Sequence, residues 1–134
     1  MTNLLDALLN ADANETRDIY IKRLGMNITV KEITLEQFNE AQEAAITVMG
    51  KGKKAKPHIN EAKMGAVIVS HGVVDSPFTN ADLMLKVGAM DPIECVEKTL
   101  KVGEILILMA EILDVSGFDK GGEVSDELVE DAKN

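Results

Sequence analysis

Apolar positions fill most of a helical circumference between Ile105 and Val115. The polar residues inside this segment are Glu111 and Asp114. With Glu104 they lie within about 80° of one another at the helical rotation of about 100° per residue. The other positions are Ile, Leu, Val, Met and Ala. This helix is therefore predicted to be covered on most sides, either by its own domain or by a partner.

Start and stop signals for helices surround this segment. Asn80 is a predicted N-cap of a helix that ends at Gly88, and Asp91-Pro92 combines an acidic N-cap with proline at the first helical position. The apolar helix is predicted to start near Gly103 and to end at Gly117. Three consecutive helices are therefore expected in this half of the chain.

A capping box opens an earlier helix, which precedes the one basic cluster. Thr34 and Gln37 match the reciprocal cap, and the predicted helix carries apolar residues at helical spacing as far as Val48 before it ends near Gly50. The lysines of Lys51–Pro57 follow in a segment that contains glycine and proline, which is typical of a loop. This loop is interpreted either as a contact for an acidic partner or as a solvated connector.

The segment after this loop is ambiguous. Asn60 can cap a helix from Glu61 to about His71, with Gly72 at the C′ position. The apolar run Ala66–Val69 would also suit a buried strand, because short apolar runs do not distinguish the two. The cap and the terminal glycine favour the helix.

Strand-like alternation appears nearer the N-terminus. Ile19 and Ile21 alternate with other residues before Gly25–Asn27, and Ile28 and Val30 do so after it. β-Branched alternation on both sides of a Gly/Asn turn predicts a β-hairpin. Because an isolated hairpin is only marginally stable, it is expected to lie on the helical body.

A leucine stripe begins the chain. Leu4, Leu5, Leu8 and Leu9 fall on one side of a short amphipathic helix over residues 3–10. A helix of this length is too short to be stable alone, so it must dock on its own domain or on a neighbouring copy. We assign these four leucines to self-association.

Length and composition predict one mainly α domain. A chain of 134 residues can bury roughly two-thirds of its unfolded surface, so no disulfide or metal is needed for stability. One tyrosine, three phenylalanines and no tryptophan imply an aliphatic core with methionine filling gaps. The expected organisation is an arm over residues 1–14, a compact multi-helix domain with a short N-terminal β-hairpin over residues 15–118, and a flexible acidic tail over residues 119–134.

Charge and hydropathy remove several function classes. The net charge of −9 argues against nucleic-acid binding, which depends on lysine and arginine at phosphates. Apolar runs stay well short of the ~20 residues that span a bilayer, and the first residues lack a signal-peptide pattern. Cys95 is the single cysteine, so no intrachain disulfide can form. The protein is expected in the cytoplasm, with neither membrane nor nucleic acid as a partner.

Candidate catalytic, cofactor and metal sites are not found in the sequence. It lacks a phosphate-binding glycine loop, a zinc-binding pair of cysteines or histidines, and the spacing of a calcium loop. Two acidic pairs, Glu94 with Glu97 and Glu111 with Asp114, are more simply explained as solvated helix faces than as acid–base pairs. We therefore expect a binding protein that is not an enzyme and uses no cofactor.

Several short stretches carry a family resemblance. They are Tyr20–Gly25, Ile33–Glu36, Gly72–Asp75 with Pro77, Asp91–Leu100, Gly103–Ile105 and Ser116–Phe118. In this order and spacing they resemble the tail assembly chaperones of long-tailed phages and prophages, specifically the XkdN-like branch. None of the stretches is a catalytic signature.

The resemblance implies a non-enzymatic, mostly helical chaperone that acts in the cytoplasm of the bacterial host. Such a chaperone would bind the tape measure protein, the long helical ruler of the tail, and keep it soluble until tail tube subunits assemble around it. It would be absent from the finished virion. Some relatives self-associate, so the resemblance also implies a possible homo-oligomer.

The residues are compatible with this role and leave others open. Aliphatic and methionine side chains on a helix can receive an apolar helical stripe, and we take Ile105, Leu108, Met109 and Ile112 as the candidate partner-binding residues. The alternatives are a structural tail or connector subunit and a small acidic regulatory binding protein.

Overall fold

The computed structural model describes residues 3–11, 15–49 and 56–118. Within these residues the chain forms six α-helices, two antiparallel β-hairpins and a 3-10 turn at Pro77–Thr79. The prediction of a mainly α protein with an N-terminal hairpin is confirmed. The elements in chain order are α1 Leu4–Asn10, β1 Thr16–Ile21, β2 Met26–Lys31, α2 Leu35–Ala45, β3 Ile46–Met49, β4 Lys56–Ile59, α3 Glu61–Gly72, α4 Ala81–Val87, α5 Pro92–Thr99 and α6 Val102–Val115.

Side-chain caps determine where most of these helices begin. Asn60, Asn80 and Asp91 each accept a hydrogen bond from the backbone N–H three residues further on, at 2.8–3.1 Å. Thr34 and Gln37 form the reciprocal capping box, with distances of 3.0 and 3.1 Å. Each cap satisfies backbone donors that the first helical turn leaves without a partner. These predicted helix starts are confirmed.

The central helix α3 packs against α2, α5 and α6. Its glycines fit isoleucines of α6: a Cβ on Gly65 would lie 2.7 Å from Ile105 Cγ2, and one on Gly72 would lie 2.6 Å from Ile112 Cδ1. Gly72 is seven residues after Gly65, and Ile112 is seven residues after Ile105, so α3 and α6 run in the same direction at this contact. The absence of side chains on these glycines allows the helices to approach closely.

The ambiguity over Ala66–Val69 is resolved in favour of the helix, because all four residues are buried within α3. The predicted C′ role of Gly72 is wrong. It is the last residue of α3, Val73 is the C-cap, and Gly72 does not have a positive φ. Packing against α6, not helix termination, requires glycine there.

The predicted end of α2 near Gly50 is also wrong. The helix stops at Ala45, and β3 follows it and pairs with β4 from Ile46 opposite Ile59 to Met49 opposite Lys56. Val48, predicted as a helical core position, is therefore a strand residue. The run Ile-Thr-Val at the start of β3 is β-branched, which favours extended structure over helix. The predicted basic loop is shortened accordingly, and residues 50–55 lie outside the described residues.

The first hairpin lies on the helical body, as predicted. β1 and β2 pair from Thr16 opposite Lys31 to Ile21 opposite Met26, and Ile21 is buried. The turn occupies residues 22–25 and not the predicted Gly25–Asn27. The Leu24 and Gly25 N–H groups both donate to the Ile21 carbonyl, at 3.1 and 2.9 Å.

Phe118, just after α6, contacts α2. Its ring lies 4.8 Å from the Phe38 ring, centroid to centroid, and the backbone N–H of Phe118 donates to the Leu113 carbonyl at 2.9 Å. The predicted acidic tail, residues 119–134, lies outside the described residues.

Candidate binding surfaces

The four residues assigned to partner binding lie in the core. Ile105, Leu108, Met109 and Ile112 are 2, 0, 8 and 0% exposed. The prediction named the correct apolar helix, but α3 and the rest of the domain already cover this side of it. These side chains are not accessible to a partner while this fold is intact.

Arginines of the first hairpin pair with the polar face of α6. Arg17 Nη1 lies 2.7 Å from both Glu111 Oε2 and Asp114 Oδ2, and Arg23 holds Glu104 through two hydrogen bonds of 2.7 and 2.8 Å. The hydrogen bonds to Asp114 and Glu111 raise the pKa of Arg17. The face of α6 that was predicted to be solvated is therefore the face on which the first hairpin packs.

Glu104 accepts hydrogen bonds from Arg23 and from the backbone N–H of Lys101. Its pKa is lowered from 4.5 to about 2, first by the hydrogen bonds from Arg23 and then by the backbone N–H of Lys101. A carboxylate that receives several hydrogen bonds keeps its charge in acid. Sequence reasoning grouped the three carboxylates on one face but could not identify the arginines opposite them.

A small apolar surface remains open beside this face, and we name it the tyrosine surface. Tyr20 on β1 and Ile107 on α6 are 63 and 53% exposed. They line one shallow hollow of about 650 Å³ together with Arg23 and Glu104. An exposed tyrosine next to an arginine is typical of the residues that dominate protein interfaces.

The leucine stripe of α1 is exposed. Leu4, Leu5, Leu8 and Leu9 are 64–74% exposed, and α1 has no buried residue. The helix itself is well formed, because the Asn3 side chain accepts a hydrogen bond of 2.8 Å from the N–H three residues on. The predicted helix is confirmed, and the described part of the chain does not bury its leucines.

A second apolar feature, the tip groove, has a volume of about 590 Å³. Its floor contains Val73, Phe78 and Leu100, which are at most 8% exposed, and its rim contains Leu24 and Met26, which are 42 and 57% exposed. The groove lies between the closed end of the first hairpin and the connection from α3 to α4. Sequence analysis missed it because its residues come from three separate segments.

The backbone turns sharply at the edge of this groove. Asp75 has φ of +51°, and it is the one charged residue among the described residues that line the groove. Left-handed backbone is uncommon for residues other than glycine, although aspartate tolerates it better than most. This turn carries the chain from α3 towards the buried Phe78.

The described parts of the chain hold no group of three His, Cys, Asp or Glu side chains arranged for a metal ion. His71 Nε2 lies 2.9 Å from Glu40 Oε2 at the surface. Cys95 is fully buried, and burial raises the pKa of its thiol. Among the same residues, none of the helices has the length and apolar character to cross a membrane.

Comparison with known proteins gives a family and a fold. A family model described as "Phage XkdN-like tail assembly chaperone protein" matches residues 5–133. A search of curated proteins finds no match. The crystal structure of the protein yqbn is similar to this chain with a TM-score of 0.59 at 17% sequence identity, over 89% of this chain and 100% of that one. At this identity the similarity shows the fold alone.

Proposed function

Since the chain belongs to the XkdN-like phage tail assembly chaperones, we propose that it binds the tape measure protein, keeps it soluble and helps to recruit tail tube subunits. It performs this role in the cytoplasm of the bacterial host, without enzymatic chemistry, and is absent from the finished virion. The observation that carries the proposal is the family match over residues 5–133.

The tyrosine surface is the proposed contact for the tape measure protein. Tyr20 and Ile107 can cover an apolar stripe on a partner helix, while the Arg23–Glu104 pair beside them supplies hydrogen bonds at the edge. Burial of one large apolar side chain contributes about 1.5–3 kcal/mol, which is modest for an interface. Tail tube subunits that arrive in excess can therefore displace the chaperone from each such contact.

The leucine stripe is the proposed self-association element. A seven-residue helix that the described residues of its own chain do not bury gains stability only by docking on something else. Several copies joined in this way would cover a long tape measure protein better than one copy, because linked contacts bind more tightly than separate ones.

Co-expression tests the function. The tape measure protein of the same phage should remain soluble and co-purify with the wild-type chain, and it should precipitate without it. If the tape measure protein stays insoluble in the presence of the wild-type chain, the proposed function is wrong.

A pair of variants tests the surface. Tyr20→Ala combined with Ile107→Ala should reduce the recovered complex by at least about tenfold, since it truncates both large side chains of the proposed contact. Leu85→Ala, at an 83% exposed leucine on α4, is the matched control and should have no effect. Equal recovery from both variants would place the contact elsewhere on the chain.

Mass spectrometry of purified particles separates a chaperone from a structural tail subunit. The chaperone should be missing from the particles, whereas a tail or connector subunit would be present in many copies.

A further inference from the structure

The leucine stripe and the tip groove are two apolar features that the described residues of the chain leave uncovered. We propose that α1 of one copy docks, leucine side inward, into the tip groove of a second copy. This inference rests on the self-association part of the proposed function and names its acceptor surface. It does not depend on which tail protein the chaperone binds.

The helix α1 has the properties of a ligand. It is already capped at Asn3, and the Asn10 side chain donates to the Asp6 carbonyl at 2.9 Å, so the helix is formed before it docks. A preformed segment loses less conformational entropy on binding than a disordered one. Its four leucines nevertheless face solvent, and so most of their surface remains to be buried.

The tip groove has the size and chemistry to receive this helix. Its volume of about 590 Å³ is within the range of roughly 300–1,000 Å³ found for ligand clefts. Seven helical residues span only about 10 Å, so the acceptor can be short. The buried floor gives a fixed apolar surface, and Met26 at the rim is a flexible side chain that adapts to the shape of a partner.

The charged residues of the helix and of the groove do not meet in this docking. Asp6 is the one charged residue of α1, and at about 100° per residue it lies about 130° from the centre of the leucine stripe. When the leucines face the groove, Asp6 therefore faces solvent and stays away from Asp75 at the groove edge. The two like charges do not meet.

Two observations favour a second copy over the helix's own groove. Within the residues that the structure describes, α1 is unburied and the groove of its own chain is open. The arm also joins the body at the open end of the hairpin, where Thr16 pairs with Lys31, whereas Leu24 and Met26 lie at the closed end. The helix of another molecule is free of this tether.

The contact is heterologous, because helix and groove occupy different places on the chain. Each joined copy still carries one free helix or one free groove, so association continues until a ring closes or a filament grows. Every copy also carries a net charge of −9. Repulsion between copies is screened by salt, and the assembly is therefore expected to strengthen as salt rises.

Sedimentation velocity of the full-length chain tests the proposal across protein and salt concentrations. Wild-type protein should form larger species with rising concentration. An arm variant, Leu5→Ser with Leu8→Ser, and a groove variant, Met26→Asp, should each weaken association by more than about tenfold. Leu85→Asp, at an exposed leucine outside the groove, should associate like wild type. All substituted residues are exposed, and circular dichroism verifies folding.

Mixing the two defective variants is the decisive measurement. The groove variant keeps a normal helix and the arm variant keeps a normal groove, so one intact joint should form and the mixture should stop at a heterodimer. A mixture that stays monomeric would show that α1 does not enter this groove. Association of either variant at the wild-type level, or a wild-type chain that stays monomeric throughout, would equally overturn the proposal. Solubilisation of the tape measure protein is a separate readout, so the two proposals can fail independently.

Discussion

Replacing Gly72 by alanine tests the close contact between α3 and α6. The added Cβ would lie 2.6, 2.8 and 2.9 Å from three carbons of the Ile112 side chain, closer than real Cβ atoms approach other heavy atoms. Ile112 is fully buried, so it cannot swing into solvent, and the two helices must move apart or the side chain must leave its rotamer.

The change in the free energy of unfolding is set by two opposing contributions, overpacking of the core and the higher helix propensity of alanine. Overpacking of a core costs about 1–3 kcal/mol, whereas alanine gains at most about 1 kcal/mol over glycine in a helix. At the last residue of α3 this gain is smaller, so Gly72→Ala should lower the free energy of unfolding by about 1–2 kcal/mol. For a domain of this length the melting temperature should fall by roughly 3–10 °C.

Urea and thermal unfolding followed by circular dichroism measure this change. Gly103→Ala is the matched control, because Gly103 lies in α6 with nothing within 4 Å of its added Cβ, and it should be neutral or slightly stabilising. Ile112→Val removes the nearest clashing carbon. It should cost about 0.5–1.5 kcal/mol in the wild type and clearly less in the Gly72→Ala background. Equal stability of the two alanine variants, or an equal cost of Ile112→Val in both backgrounds, would refute the close-contact argument.

Three further predictions follow from local features. Because the pKa of Glu104 is lowered to about 2 in the folded chain, its contribution to stability is present above pH 4.5 and is lost as the pH falls towards 2. The urea midpoint of unfolding should drop across this pH window. It should drop less in Arg23→Met, which lacks the main cause of the lowered pKa, the hydrogen bonds from Arg23. At Asp75, where φ is +51°, alanine should lower stability by about 1 kcal/mol and glycine should not, with equal melting temperatures counting against a strained backbone. The buried thiol of Cys95 should react with a thiol reagent far more slowly in the native chain than in urea, and rapid native labelling would contradict its burial.

The candidate surfaces show which kinds of inference succeed. The leucine stripe was identified from spacing alone, since a helical repeat places those residues on one side whatever the rest of the chain does. Ile105 and Ile112, which were assigned to a partner, lie buried in the core. A helix that is apolar on most sides does not reveal which of those sides its own domain covers. The exposed Ile107, on the face that carries the carboxylates, was not distinguishable from the core positions.

The error at β3 has a different origin. The spacing of apolar residues continues from Ala41 and Ala45 to Val48, so period alone extended α2. The competing signal was the β-branched Ile-Thr-Val run, whose preference for extended structure becomes decisive only when a partner strand is present. That partner, β4, begins at Lys56 within what was predicted to be a loop.

The sequence by itself determined the features that act over short distances. Caps such as Asn80 and Asp91 bond a backbone group three residues away, so their effect is contained in the local sequence. The tertiary structure alone decided which surfaces are covered. Arg17 meets Glu111 across 94 positions, and Gly72 makes room for Ile112 across the 40 positions that separate them. Such contacts depend on how complete helices and strands are placed in space, and no local pattern of residues specifies that placement.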